Sequence, residues 1–389
     1  MNRNDFNRRQ FITSIAMSLP GVMLTDLAFS VGNTIERLVD FQKSGLLFYT
    51  DADGKKRRVT TLAEWKIKQK QILTGMQQAM GELPGFLNLP DMNIQIIDEI
   101  KEENYTRQNI IFTVAENEKV PAYLYLPNAK SKTKKFPAML ALHETDSIGK
   151  KSVDGQGLNI NMGYAKELAQ RGYVVIAPDY PDFGDLKDYD FKTDRYQSGT
   201  MKSIFDNMRC VDLLQARADV DPNRIGVIGH SLGGHNAMFT GAFDKRLKVI
   251  VSSCGWTLFD YDNLEEANNT KFIKRYGGRL GDWAQERYMP LLHKFELNAK
   301  RNDSDPRKMP FDFDEVIAAI APRSFFSNSP LHDSDFNPEG VRTGIAEASK
   351  VYRFLGAGDK IQVLCPDSKH DFPPEVRMEA YQFIDKVLK

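Results

Sequence analysis

The stretch Gly229-His230-Ser231-Leu232-Gly233 constrains the fold of this 389-residue chain more than any other. It reads G-x-S-x-G, it follows the apolar run 224–228, and it precedes a helical pattern over 234–241. A serine in that context sits on a sharp strand-to-helix turn, with its hydroxyl raised above the edge of a sheet. The turn forces the serine into a strained φ/ψ region, and the flanking glycines leave room for the two backbones to approach. The helix that follows points its first amide groups back at the hydroxyl, which suits a site where negative charge develops. The bland alternative is a glycine-rich turn with an idle serine, and the buried run on one side and the helix on the other argue against it.

A serine nucleophile needs a base, and the base needs an orienting acid. Six histidines are available: His143, His230, His235, His293, His332 and His370. On an elbow of this kind the chain order is Ser, acid, His, with the base on the loop after the last strand. His370 fits, because it follows the apolar run 361–365 and precedes a helical pattern with Val376, Ala380, Phe383, Ile384 and Val387 on one face. The acid belongs after the preceding strand, 323–327, where Asp333 and Asp335 lie. Asp333 comes about one turn beyond that strand's end and is the preferred acid; Asp335 is the alternative. The tetrahedral oxyanion calls for two backbone N–H donors. Leu232 supplies one, and Glu144 or Thr145, after the run 136–142 and His143, supplies the other. This chemistry requires no cofactor, and no H-E-x-x-H or CxxC spacing offers a metal site. Cys210, Cys254 and Cys365 are scattered and odd in number, so they read as small buried hydrophobes rather than a disulfide framework.

The rest of the chain is organised as an α/β protein. Thr61-Leu62-Ala63-Glu64 forms a capping box, after which Leu62, Trp65, Leu73, Met76, Met80 and Leu83 recur at helical spacing until Gly81 and Pro84 end the pattern. The runs 109–114 and 122–126 predict an antiparallel hairpin. Short apolar runs at 136–142, 174–177, 224–229, 248–252, 323–327 and 361–365 alternate with helical stretches such as 164–171 and 201–218. Strands buried on both faces and joined by crossover helices predict a mostly parallel central sheet flanked by helices. The balance of 52 Lys and Arg against 52 Asp and Glu gives no net basic field, which excludes the electrostatic footprint of a nucleic-acid binder.

Together these segments resemble the dienelactone hydrolase and acetyl xylan esterase-like branch of the α/β-hydrolases, in its exported bacterial form. The residues carrying the resemblance are Leu142-His143-Glu144-Thr145, Gly229 to His235, Met309-Pro310-Phe311-Asp312-Phe313, Ala321-Pro322-Arg323 with Ser329 to Asp333, and His370 to Glu375. One departure is chemical: dienelactone hydrolases use a cysteine nucleophile, and Ser231 stands here. The resemblance therefore implies an α/β-hydrolase fold and ester hydrolysis, most naturally removal of acetyl groups or of uronate methyl esters from a carbohydrate. A serine peptidase of the prolyl-oligopeptidase type shares the elbow, but the residues before Ser231 show no propeller blade repeat. A non-catalytic binding protein is disfavoured by the presence of all three polar residues.

Residues 1–30 resemble a twin-arginine export signal through Arg8-Arg9-Gln10-Phe11-Ile12, which implies a periplasmic or secreted protein with no membrane insertion in the mature form. Residues 31–105 are expected to form an N-terminal helical extension and 106–389 the catalytic domain, with an insertion at 255–309 between core strands over the active site. That insertion carries aromatic rings suited to sugar faces, and Trp256, Trp283 and Tyr288, together with His143 and His230, are the candidate substrate contacts. The alternative is that the aromatics form the insertion's own core. Residues 271–308 hold ten Lys and Arg against five acids, an imbalance that could meet an acidic polysaccharide but falls to +1 when counted from Gly255.

Overall fold

The computed structural model describes residues 45–128, 135–261, 287–291 and 309–389. The first elements are a short hairpin, β1 (Phe48–Thr50) with β2 (Lys56–Arg58), and helix α1 (Leu62–Met80). The Thr61 side chain accepts the Glu64 N–H and the Glu64 carboxylate answers on the Thr61 backbone, so the capping box forms as the sequence predicts. The buried face of α1 is Trp65, Ile72, Met76, Ala79 and Met80, whereas Leu62 in the first turn stays exposed. Full burial of a side chain such as Ile72 or Met76 contributes roughly 1.5–3 kcal/mol.

The main sheet begins earlier than expected. Strand β3 (Gln95–Lys101) lies inside the stretch read as a helical extension, yet it pairs antiparallel with β4 (Tyr105–Ala115). It is an edge strand whose seven residues are all exposed, so it lacks the period-2 alternation that marks a half-buried strand. β4 and β5 (Glu118–Pro127) form the predicted hairpin, longer at both ends.

From there the chain alternates: β6 (Phe136–Leu142), α2 (Tyr164–Gln170), β7 (Val174–Pro178), α3 (Gly199–Ala216), β8 (Val220–His230), α4 (Leu232–Phe243) and β9 (Leu247–Ser253). Then follow α5 (Phe313–Ile320), β10 (Ser324–Asn328), α6 (Pro338–Phe354), β11 (Ile361–Leu364) and α7 (Pro374–Leu388). The nine-stranded order is β11-β10-β9-β8-β6-β7-β5-β4-β3. Pairing is parallel from β7 through β6 to β11 and antiparallel from β7 outward through β5.

Both faces of this sheet are covered. On one, α2 and α7 pack Tyr164, Leu168, Tyr381 and Ile384 against Met139, Val175, Val249, Val251 and Phe326. On the other, Gly241 of α4 lies against the Ile250 side chain, and Asn207 of α3 donates to Thr240 of α4 at 3.0 Å. Helix α1 is tied to α5 by the ion pair of Lys68 with Glu315 (2.6 Å) and by Gln69 Nε2 donating to the Ala319 carbonyl (2.7 Å). All parallel strands end at one edge, which is where loops from β6, β8, β9, β10 and β11 meet and where a site is expected. Among the described residues no helix is long and apolar enough to cross a membrane, and the export signal read at 1–30 lies outside them.

Candidate active site

Ser231 links β8 to α4 with φ 53° and ψ −118°, a region that non-glycine residues rarely occupy. Its N–H donates to the Ser253 carbonyl at 2.8 Å, and its own carbonyl accepts the His235 N–H at 3.1 Å. The two glycines are required by close approach. A Cβ on Gly229 would stand 2.1 Å from the Gly233 carbonyl oxygen, and one on Gly233 would stand 2.1 Å from the Leu142 carbonyl oxygen. The elbow is therefore pressed against the end of β6, which brings Leu232 beside the loop that begins at His143.

The loops after β10 and β11 bring a base and a carboxylate together. His370 Nδ1 lies 2.9 Å from Asp333 Oδ1 and 3.7 Å from Asp335 Oδ2, so Asp333 is the hydrogen-bonded partner and Asp335 a neighbouring charge. Asp333 Oδ1 also accepts the N–H groups of Asp335 (2.8 Å) and Phe336 (3.2 Å). With Nδ1 donating to the carboxylate, the neutral ring leaves Nε2 free to accept a proton. The His230 ring packs edge-on at 4.9 Å and Phe336 stacks at 6.0 Å, which limits rotation of the imidazole. Burial alone would lower the His370 pKa; the Asp333 hydrogen bond and the charges of Asp333, Asp335 and Glu144 outweigh it, and the ring sits above its ordinary value.

Across from the base, His143 is fully buried, with Nδ1 2.6 Å from the Glu144 carbonyl oxygen and Nε2 accepting the Tyr180 N–H at 3.2 Å. Burial holds this ring below its usual pKa and hence neutral. It fixes the backbone at Glu144, next to exposed Thr145. The Glu144 side chain is half-buried, and burial with the nearby charges of Asp146 and Asp371 pushes its pKa up to about 7 against the opposing pull of His370. His235 is pulled down to about 4 by burial and by His370, and its Nδ1 lies 2.5 Å from the Gly255 carbonyl oxygen.

Four candidate substrate contacts are corrected. His143 is a buried clamp on the loop backbone. His230 is 2% exposed and hydrogen-bonded to Ser253 Oγ at 2.9 Å, so it supports the base rather than a sugar. Trp256 is 1% exposed, donates Nε1–H to Ser327 Oγ at 3.0 Å and covers Gly344. Tyr288 is 2% exposed with its hydroxyl on the Pro181 carbonyl. Each ring has a buried polar partner and no surface to offer a ligand, so the two aromatics belong to the core. Trp283 lies outside the described residues, as does most of the 255–309 insertion and its basic run.

Sequence reasoning missed several participants. Cys254, read as a small hydrophobe, follows β9 with φ 47°, and its sulfur, the Asp333 carboxylate and the His370 ring all lie within 4.8 Å of one another. Among the described residues this is the group compact enough to hold a metal ion, although its imidazole and carboxylate are already bonded to each other. Asp371 is pinned by Asn159 Nδ2 (2.9 Å) and Asn161 Nδ2 (2.7 Å), which anchors the loop after the base. No local pattern marks these residues, because their partners are far away in the chain.

Similarity to known proteins extends along most of the chain. Residues 189–356 match the family model described as glucuronyl esterase, fungi. The chain is 30% identical to the Bacillus subtilis (strain 168) protein named "Putative hydrolase YtaP", over 79% of this chain and 96% of that one. It is 26% identical to the carbohydrate esterase MZ0003 of an unknown prokaryotic organism, over 79% and 77% of the respective lengths. The solved structure of a glucuronoyl esterase from Solibacter usitatus superposes with a TM-score of 0.65 at 21% identity, covering 87% of this chain and 96% of that one, which shows a shared fold. The chain belongs to the family of the Bacillus subtilis relative, and it has the α/β-hydrolase fold.

Proposed function

We propose that the protein hydrolyses uronate esters of carbohydrates, releasing methanol or another alcohol, with Ser231 as nucleophile, His370 as base and Asp333 as acid. The observation that carries the reading is the 2.9 Å bond between His370 and Asp333 at the same sheet edge as the strained Ser231 turn. His370 Nε2 takes the Ser231 proton as Oγ attacks the ester carbonyl, and Asp333 stabilises the imidazolium that forms. The Leu232 N–H and an amide of the Glu144–Thr145 segment receive the oxyanion. The imidazolium then protonates the departing alcohol, and water activated by the same ring hydrolyses the acyl-enzyme. The choice of a uronate ester rests on the glucuronyl esterase family model, and that of a carbohydrate on the name of the MZ0003 relative; acetyl removal is the competing ester reaction. Residues 1–30 would direct the protein to the periplasm or beyond.

The experiment pairs the parent chain with S231A on a methyl uronate glycoside, acetylated xylan, an aryl acetate and a peptide amide. Methanol release from the first, absent in S231A, is the expected result. Acetate release alone would transfer the activity to acetyl esters, amide cleavage would point to a peptidase, and no Ser231-dependent turnover of any ester would overturn the reading.

A further inference from the structure

Asp333 has two carboxylate oxygens in different situations. Oδ1 carries the contacts to His370, the Asp335 N–H and the Phe336 N–H, whereas Oδ2 is buried and takes no hydrogen bond among the described residues. The side chain is 1% exposed, so bulk solvent does not reach it. A bare carboxylate oxygen in such a place is costly unless a donor meets it.

The Cys254 sulfur is within 4.8 Å of this carboxylate and of the His370 ring. Residue 254 is held in the left-handed region, with its N–H on the Asn328 carbonyl at 2.8 Å, so its placement is imposed by the surrounding loops. The thiol has one proton; the hydrogen bond it makes in the structure is to the Asp371 carbonyl, and the Asp333 carboxylate is the other acceptor near it. The Asp371 carbonyl, 3.3 Å from the sulfur, already accepts the Asn328 Nδ2–H at 2.8 Å. Asp333 Oδ2 has no other donor among the described residues and carries charge, which strengthens the bond it accepts. Burial pushes the thiol well above its usual pKa and the Asp333 charge adds to this, so Cys254 is present as S–H and acts as a donor.

We propose that Cys254 is a positioning residue for the acid: its thiol proton is donated to Asp333 Oδ2 and holds the carboxylate in the orientation that keeps His370 aligned. This rests on the assignment of His370 and Asp333 as base and acid. The thiol itself never touches substrate.

Full-length C254A, C254V and C254S are compared with the parent chain on one ester that the parent turns over. The serine variant keeps a donor and retains kcat within about threefold, whereas alanine and valine lose about tenfold in kcat at unchanged KM, the scale of one hydrogen bond. With Oδ2 unpaired, the carboxylate holds the imidazolium more tightly, so the acid limb of kcat/KM moves to higher pH in C254A and C254V and stays in place in C254S. If alanine prevents folding, valine and serine carry the same comparison at nearly constant volume. A second readout needs no turnover: the low-field proton NMR signal of His370 Nδ1–H persists in C254S and broadens or shifts in C254A. Parent-like behaviour of C254A, or equal behaviour of the serine and alanine variants in both readouts, overturns the proposal. A parent chain that cleaves no ester overturns the functional reading instead, and the NMR comparison then decides the role of Cys254.

Discussion

The two walls of the site are built on different principles. On the base wall, formed by the loops after β10 and β11, hydrogen bonds hold the polar groups: Asp333 Oδ1 receives an imidazole and two backbone donors, although its Oδ2 takes none among the described residues, and Asp371 is held by two asparagines. On the opposite wall, after β6, the backbone is clamped by buried His143 while the Glu144 carboxyl is left facing Asp146, Asp371 and His370, with its pKa pushed up to about 7. The first arrangement fixes an orientation. The second fixes a backbone and leaves a titratable side chain beside the reacting groups. The difference teaches that alignment of the base should depend on specific hydrogen bonds, whereas the loop wall should respond to pH.

Breaking the base wall should have the largest effect. D333N keeps the shape but removes the charge and the tautomer control, and should lower kcat by roughly 10³–10⁴ with KM little changed, measured by steady-state kinetics. D335N, at 3.7 Å from the base, is the internal control and should stay within about threefold. A D335N loss as large as that of D333N would move the acid to Asp335.

On the other wall, H143A removes a ring that links the Glu144 carbonyl to the Tyr180 N–H. Leaving those buried groups unpaired beside a cavity should cost roughly 2–4 kcal/mol of stability by denaturant unfolding. Surviving folded protein should lose kcat, because the backbone proposed to receive the oxyanion is no longer fixed. The smallest effect belongs to E144Q. In the proposed mechanism His370 must be neutral to accept the Ser231 proton, so activity should rise with pH through the His370 pKa. Glu144 is one of the charges that raise that pKa, and its removal should move the acid limb to lower pH by a few tenths of a unit. An unchanged limb in E144Q would make the two walls electrostatically equivalent.

What the chain makes legible follows from where each signal is encoded. Runs buried on both faces, such as 136–142 and 248–252, announce β6 and β9 because a parallel strand must be apolar throughout. β3 escapes because both its faces meet solvent. The elbow is legible because two glycines and a serine at fixed spacing have few other uses, and the order Ser231, Asp333, His370 is enough to expect the acid beside the base. Trp256 and Tyr288 mislead, since an aromatic ring with a polar handle serves a core as readily as a ligand. The chain points to Glu144 through its backbone amide alone; the surroundings of its carboxyl and of the Cys254 thiol come from residues far away in the sequence, so only the assembled sheet edge reveals them.

The most direct test of the central claim is active-site labelling by a fluorophosphonate, followed by peptide mass spectrometry. A single adduct on the peptide containing Ser231, absent in S231A and formed far more slowly in D333N, is the predicted result. Ester turnover that persists without an adduct on Ser231, or labelling that is indifferent to Asp333, would contradict the account.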